Sequence, residues 1–124
     1  MAMALQESGE MYLEAIYVLS QKSDAVRGID VGEYLGYSKP SVSRALGILR
    51  DQDYVRKDPD GFLKLTPAGE AVAKRIYERH TVLTKLFIDI GVSEKTASED
   101  ACRIEHYISD ETFDAVKAAI KKPT

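Results

Sequence analysis

At one place in this chain the hydrophobic period falls from 3.6 residues to two, and that change constrains the fold more than any other feature. Tyr54-Val55-Arg56-Lys57, Asp58-Pro59-Asp60-Gly61 and Phe62-Leu63-Lys64-Leu65 read as strand, tight turn and strand, with Pro, Asp and Gly supplying the turn geometry. An isolated two-stranded ribbon is marginal in water, so it must lie against the helices around it. Before it, Ser8 is placed to cap a helix through about Gln21, with Tyr12, Ala15, Ile16 and Leu19 as its apolar stripe. A short helix from about Asp30 to Leu35 stops at Gly36. Ser38 caps a third, with Pro40 in its first turn, where a missing N–H costs nothing. Val42, Ala45, Leu46 and Leu49 form its inner face, leaving Lys39, Ser41, Ser43, Arg44 and Arg50 outward.

After the ribbon, Thr66-Pro67 opens a long helix to about Ile90, carrying Val72, Ile76, Leu83 and Phe87 and ended by Gly91. Ser93 caps a helix to about Ile108, and Ser109 or Asp110 caps a last one with Phe113, Val116 and Ile120. The predicted fold is mainly α. A winged helix-turn-helix domain over residues 1–72 is joined by the long helix to a helical domain over residues 73–124.

Composition narrows the function. With 124 residues, 44% hydrophobic and 30% charged, the chain can bury a core without disulfides. Its single cysteine, Cys102, fits a reducing compartment, and no apolar run reaches the roughly 20 residues of a membrane span, so a cytoplasmic protein with no membrane partner is expected. Net charge is −3, but unevenly placed: residues 1–33 and 93–111 each carry −4, and residues 34–92 carry +3. Residues 38–57 hold five bases against two acids, so a local basic face survives the acidic balance. In a winged helix-turn-helix the helix after the turn enters the major groove of double-stranded DNA. Ser38, Lys39, Ser41, Arg44 and Arg50 on that helix, and Arg56, Lys57 and Lys64 on the wing, are the expected DNA contacts. A merely solvated charged face would share their composition.

Cys102, Glu105 and His106 are spaced i, i+3, i+4, on one face of a helix, where thiolate, carboxylate and imidazole can converge on a divalent metal. A small buried cysteine beside a surface Glu–His pair has the same spacing. Met11 and Glu14 form another i, i+3 pair on the first helix, although a methionine there also serves as core filler. His80 lies between Ile76 and Leu83 on the apolar side of the long helix, where a carbonyl could equally satisfy it.

These residues carry a resemblance. The chain is similar to the metal-dependent repressors of the diphtheria toxin repressor and manganese transport regulator family, from Glu10 to about Val116. Its marks are Glu10-Met11-Tyr12-Leu13-Glu14-Ala15-Ile16-Tyr17, Leu65-Thr66-Pro67-Ala68-Gly69, the Arg79-His80 step, and Asp100-Ala101-Cys102-Arg103-Ile104-Glu105-His106. The resemblance implies a homodimeric repressor of the short, two-domain branch, binding palindromic operators and controlling metal homeostasis genes. It also implies that Met11, Cys102, Glu105 and His106 match an iron-type primary site, while Glu14 and His80 match a manganese-type site. Thr84 and Ser98 stand where iron-type members have a carboxylate and a histidine.

Thioether and thiolate donors favour softer ions, which in a reducing cytoplasm points to Fe(II), with Mn(II) as the alternative and Co(II), Ni(II) or Zn(II) able to bind in vitro. No nucleophile elbow or phosphate loop is present, so neither an enzyme nor a small-molecule substrate is expected. Two rivals remain: a winged-helix regulator of an organic ligand or protein partner with Cys102, Glu105 and His106 incidental, and a metal hydrolase using Glu14 or Glu105 as base.

Overall fold

The computed structural model describes residues 7–121. They form α1 (Glu7–Ser20), α2 (Gly28–Leu35), α3 (Lys39–Asp51), β1 (Val55–Lys57), β2 (Leu63–Leu65), α4 (Pro67–Asp89), α5 (Glu94–Ile104) and α6 (Asp110–Lys121). The chain divides into two compact units, residues 1–74 and 75–124, with α4 beginning in the first and ending in the second. The architecture is the mainly α, winged helix-turn-helix arrangement that the sequence predicts. Among the described residues no helix is long and apolar enough to cross a membrane.

In the first unit α1 is already helical at Glu7, so Ser8 lies inside it and is not its cap. α2 begins two residues earlier than its apolar pattern suggests, because the Asp30 carboxylate reaches back one turn to accept the Arg27 N–H at 2.8 Å. It ends at Gly36, whose φ of 76° is the left-handed geometry that closes a helix at little cost to glycine. α3 starts where expected: the Ser38 hydroxyl accepts the Ser41 N–H at 3.4 Å, and Pro40 occupies the first turn. Tyr12, Leu13 and Ile16 of α1 meet Val31, Val42, Leu46 and Leu49 of the next two helices and Val55 and Leu63 of the ribbon in one apolar core. Each such side chain stabilises the unit by roughly 1.5–3 kcal/mol on burial. Burial, reinforced by neighbouring Tyr37, holds the Tyr12 phenol above its ordinary range.

The ribbon is antiparallel, with Val55, Arg56 and Lys57 opposite Leu65, Lys64 and Leu63. Its strands have three residues rather than four: Asp58 Oδ1 accepts the N–H groups of Asp60 and Phe62, both at 2.9 Å, and draws Phe62 into the turn, while at the other end the Tyr54 N–H donates back to the Leu49 carbonyl of α3 at 2.9 Å. Leu63 N–H donates to the Val26 carbonyl at 2.8 Å, tying β2 to the segment between α1 and α2. The exit from the wing is fixed by Thr66, whose hydroxyl donates to the Asp53 carbonyl at 2.7 Å and accepts the Gly69 N–H at 3.1 Å. A Cβ at residue 69 would overlap the Tyr54 carbonyl oxygen, so the Thr-Pro-Ala-Gly start of α4 admits only glycine there.

In the second unit Leu83, Ala101 and Phe113 form the core, with Val82, Phe87 and Ile108 packed on it. Ser93 caps α5 by accepting the Thr96 N–H at 3.4 Å, and Ser109 caps α6 by accepting that of Thr112 at 3.1 Å. α5 stops at Ile104, four residues short of the expected Ile108. Beyond it the N–H groups of Tyr107 and Ile108 both turn back to the Ile104 carbonyl, at 2.9 and 3.0 Å, and the buried Arg79 takes the carbonyls of Glu105 and Ile108. Ile88, Ile90, Ile104 and Tyr107 are exposed on this unit.

Candidate metal centre and DNA-binding face

The centre is assembled from α4 and the end of α5. His80 Nδ1 lies 2.9 Å from Glu105 Oε2, and the ligand atoms of His80, Cys102 and Glu105 all fall within 4.8 Å of one another. Glu105 has no exposed surface, the His80 side chain is 25% exposed, and Cys102 is open to solvent. The other carboxylate oxygen, Glu105 Oε1, is buried and accepts no hydrogen bond; His106 Nε2 stands 3.4 Å from it. A buried polar atom left in that state costs about 1–3 kcal/mol, and a cation is the partner that would remove the cost. An imidazole, a thiol and a carboxyl oxygen converging on one point fit a divalent transition ion.

The sequence spacing sets Cys102, Glu105 and His106 on one helical face, and here the structure differs. Because α5 ends at Ile104, Glu105 is its C-cap and His106 lies in the following turn, so the two histidines divide the carboxylate: His80 meets Oε2 and His106 meets Oε1. Met11 and Glu14 are half-buried on α1 of the first unit. Thr84 Oγ1 is buried and makes no hydrogen bond, and Ser98 is half-buried.

On the first unit Ser38, Lys39, Ser41, Arg44 and Arg50 are exposed along α3 and its cap, and Arg56 and Lys57 are exposed on β1. Lys64 differs: it is half-buried, and its Nζ donates to the Asp24 carbonyl at 3.1 Å, which fastens the wing to the segment before α2. Sequence reasoning missed a cleft of about 500 Å³ between α2 and α3, with Ile29, Val42 and Leu46 in its wall and Lys39, Arg50 and Lys57 around it. Its signal is glycine at every fourth residue, at 28 and 32 in α2 and at 36, its C-cap.

A helix-turn-helix with a basic recognition helix, followed by a unit that gathers His, Cys and Glu, is also what comparison with known proteins finds. Residues 4–63 match the iron dependent repressor N-terminal DNA binding domain, and residues 66–124 match the iron dependent repressor metal binding and dimerisation domain. The chain belongs to the iron-dependent repressor family. Like the family's other members it is a metal-responsive transcriptional repressor, with a DNA-binding domain followed by a metal-binding and dimerisation domain.

The chain is 35% identical to the transcriptional regulator MntR of Salmonella typhimurium over 86% of its own length and 68% of that protein's. It is 33% identical to the diphtheria toxin repressor of Corynebacterium efficiens, over 86% of this chain and 47% of that one. The structure of the manganese regulator SloR matches it with a TM-score of 0.81 at 26% identity, over 98% of this chain and 56% of that one. This member of the family thus spans about half the length of the last two.

Proposed function

We propose that this iron-dependent repressor answers to Fe(II), held by His80, Cys102, Glu105 and His106, and that as a cytoplasmic homodimer it then occupies palindromic operators of metal homeostasis genes. The observation that carries the reading is Glu105: a carboxyl group with no exposed surface and one oxygen without a hydrogen bond, set beside an imidazole and a thiol. A bound divalent ion supplies the positive charge that this donor set lacks. Glu105 offers its buried oxygens and His80 a ring nitrogen, His106 stands on the side of the other carboxylate oxygen with Nε2 3.4 Å away, and Cys102 adds a soft donor that ranks Fe(II) above Mn(II). The family resemblance adds Met11 and Glu14 as further ligands.

Arg44 and Ser41, near the start of α3, read base edges, while Lys39, Arg50, Arg56 and Lys57 bind phosphates. Lys64 serves the wing's attachment first. Ile88, Ile90, Ile104 and Tyr107 are exposed apolar side chains of the second unit that a second copy of the chain would cover. Mn(II) activates at higher concentration. Anaerobic titration of operator binding with Fe(II), Mn(II) and Zn(II) tests the reading: Fe(II) should activate at the lowest concentration, and operator affinity unchanged by excess chelator would overturn metal control.

A further inference from the structure

Two consecutive residues of α4 grip the same residue of the α5–α6 turn by different handles. His80 meets the side chain of Glu105, and Arg79 holds its main chain: Nη1 accepts no role but donor, giving hydrogen bonds to the Glu105 carbonyl at 3.1 Å and the Ile108 carbonyl at 2.6 Å. Nη2 donates to Asp110 Oδ1, at the first residue of α6, and the guanidinium lies over the Phe113 ring with Cζ 5.5 Å from its centroid. Arg79 is 4% exposed, so its bond to the Glu105 carbonyl is made out of water, where a bond to a charged donor is worth more than at the surface, while Asp110 meets it from the solvent side.

We infer that Arg79 is a positioning residue for the metal centre: it caps the end of α5 and fixes the turn on which Glu105 and His106 are presented. Three features support this. α5 ends one residue before Glu105, so the carbonyls it leaves unpaired need donors, and a buried cation there is favoured by the helix dipole. Glu105 has no freedom to seek an ion by moving into solvent, so its carboxyl can sit beside His80 and Cys102 only if the backbone beneath it is placed correctly. And the planar fork of arginine reaches two carbonyls and a carboxylate at once, which a lysine cannot do. Arg79 touches no ligand atom of the cluster in this arrangement; it acts through Glu105 and the turn.

The inference rests on the metal-centre reading above, and one experiment separates the two. Co(II) is titrated anaerobically into the full-length wild type, Arg79→Lys, Arg79→Gln and Asp110→Asn proteins, following the thiolate-to-cobalt charge-transfer band, with affinity from competition against a chromophoric chelator. Apo unfolding temperatures are measured in parallel. Wild type should bind Co(II) with a thiolate band. Arg79→Lys should bind about tenfold more weakly and Arg79→Gln about a hundredfold, each with a displaced band, as expected on loss of an outer partner of a ligand. Asp110→Asn, an exposed residue whose loss spares the core, should fall between wild type and Arg79→Lys, and it decides the matter with Arg79→Lys if Arg79→Gln does not fold. Variants that unfold at lower temperature yet keep wild-type Co(II) affinity and spectrum would overturn the positioning role while leaving the centre standing. A wild type without Co(II) affinity would remove both.

Discussion

Glu105 concentrates the chemistry of the second unit. Replacing it with glutamine keeps the volume and removes the anion, so Glu105→Gln should unfold at a temperature close to that of the apo wild type while losing all stabilisation by metal. For wild type that stabilisation is about 2.7 kcal/mol at a free metal concentration of about 100 Kd, and thermal melts with and without Mn(II) measure both. Donor softness gives a second outcome: Cys102→Ala should weaken Fe(II) activation more than Met11→Ala, because it removes a charged ligand, and Met11→Asp should move the Fe(II)-to-Mn(II) activation ratio toward Mn(II). An unchanged ratio in operator-binding titrations would return Met11 to the hydrophobic core. On the DNA side, Arg44→Ala should cost about 1–3 kcal/mol and relax specificity at one base pair, whereas Lys57→Ala should weaken cognate and random DNA alike. Binding to a panel of single-base operator variants distinguishes the two.

Among the elements, the wing and its exit have the least tolerance. Gly69→Ala drives a methyl group into the Tyr54 carbonyl and strains the junction of Thr66 with Asp53, so a loss of about 1–3 kcal/mol is expected in chemical denaturation, with operator affinity falling as the wing shifts. That junction explains how much could be read in advance. Local signals decided the helices and ribbon: Ser38, Ser93 and Ser109 cap because their hydroxyls reach N–H groups three residues on, and the Asp58 turn closes through its own side chain. What was misread depends on partners far along the chain. α5 stops early because Arg79, 26 residues away, holds the Glu105 carbonyl, and no period within residues 93–108 contains that fact. The spacing of Cys102, Glu105 and His106 is local, but the pairing of Glu105 with His80 crosses 25 residues and required the fold. The contact of Lys64 with the Asp24 carbonyl, 40 residues back along the chain, is likewise outside any local pattern.

For the molecule as a whole, a homodimer is expected in both metal states, with exposed Ile88 and Ile90 covered by the partner. Sedimentation at micromolar concentration should give a dimer, and Ile90→Asp should shift it toward monomer. Operator affinity should also fall steeply between 50 and 200 mM salt, since the basic face contributes through counterion release. The burial gradient across the metal cluster bears on time rather than affinity. Glu105 forms a closed floor and Cys102 an open rim, so an ion passes the thiol first on arriving and last on departing. The interval for which a gene stays silent after metal runs short is then governed by traffic through that rim, and two chelators of equal strength but unequal bulk should silence the repressor at different speeds.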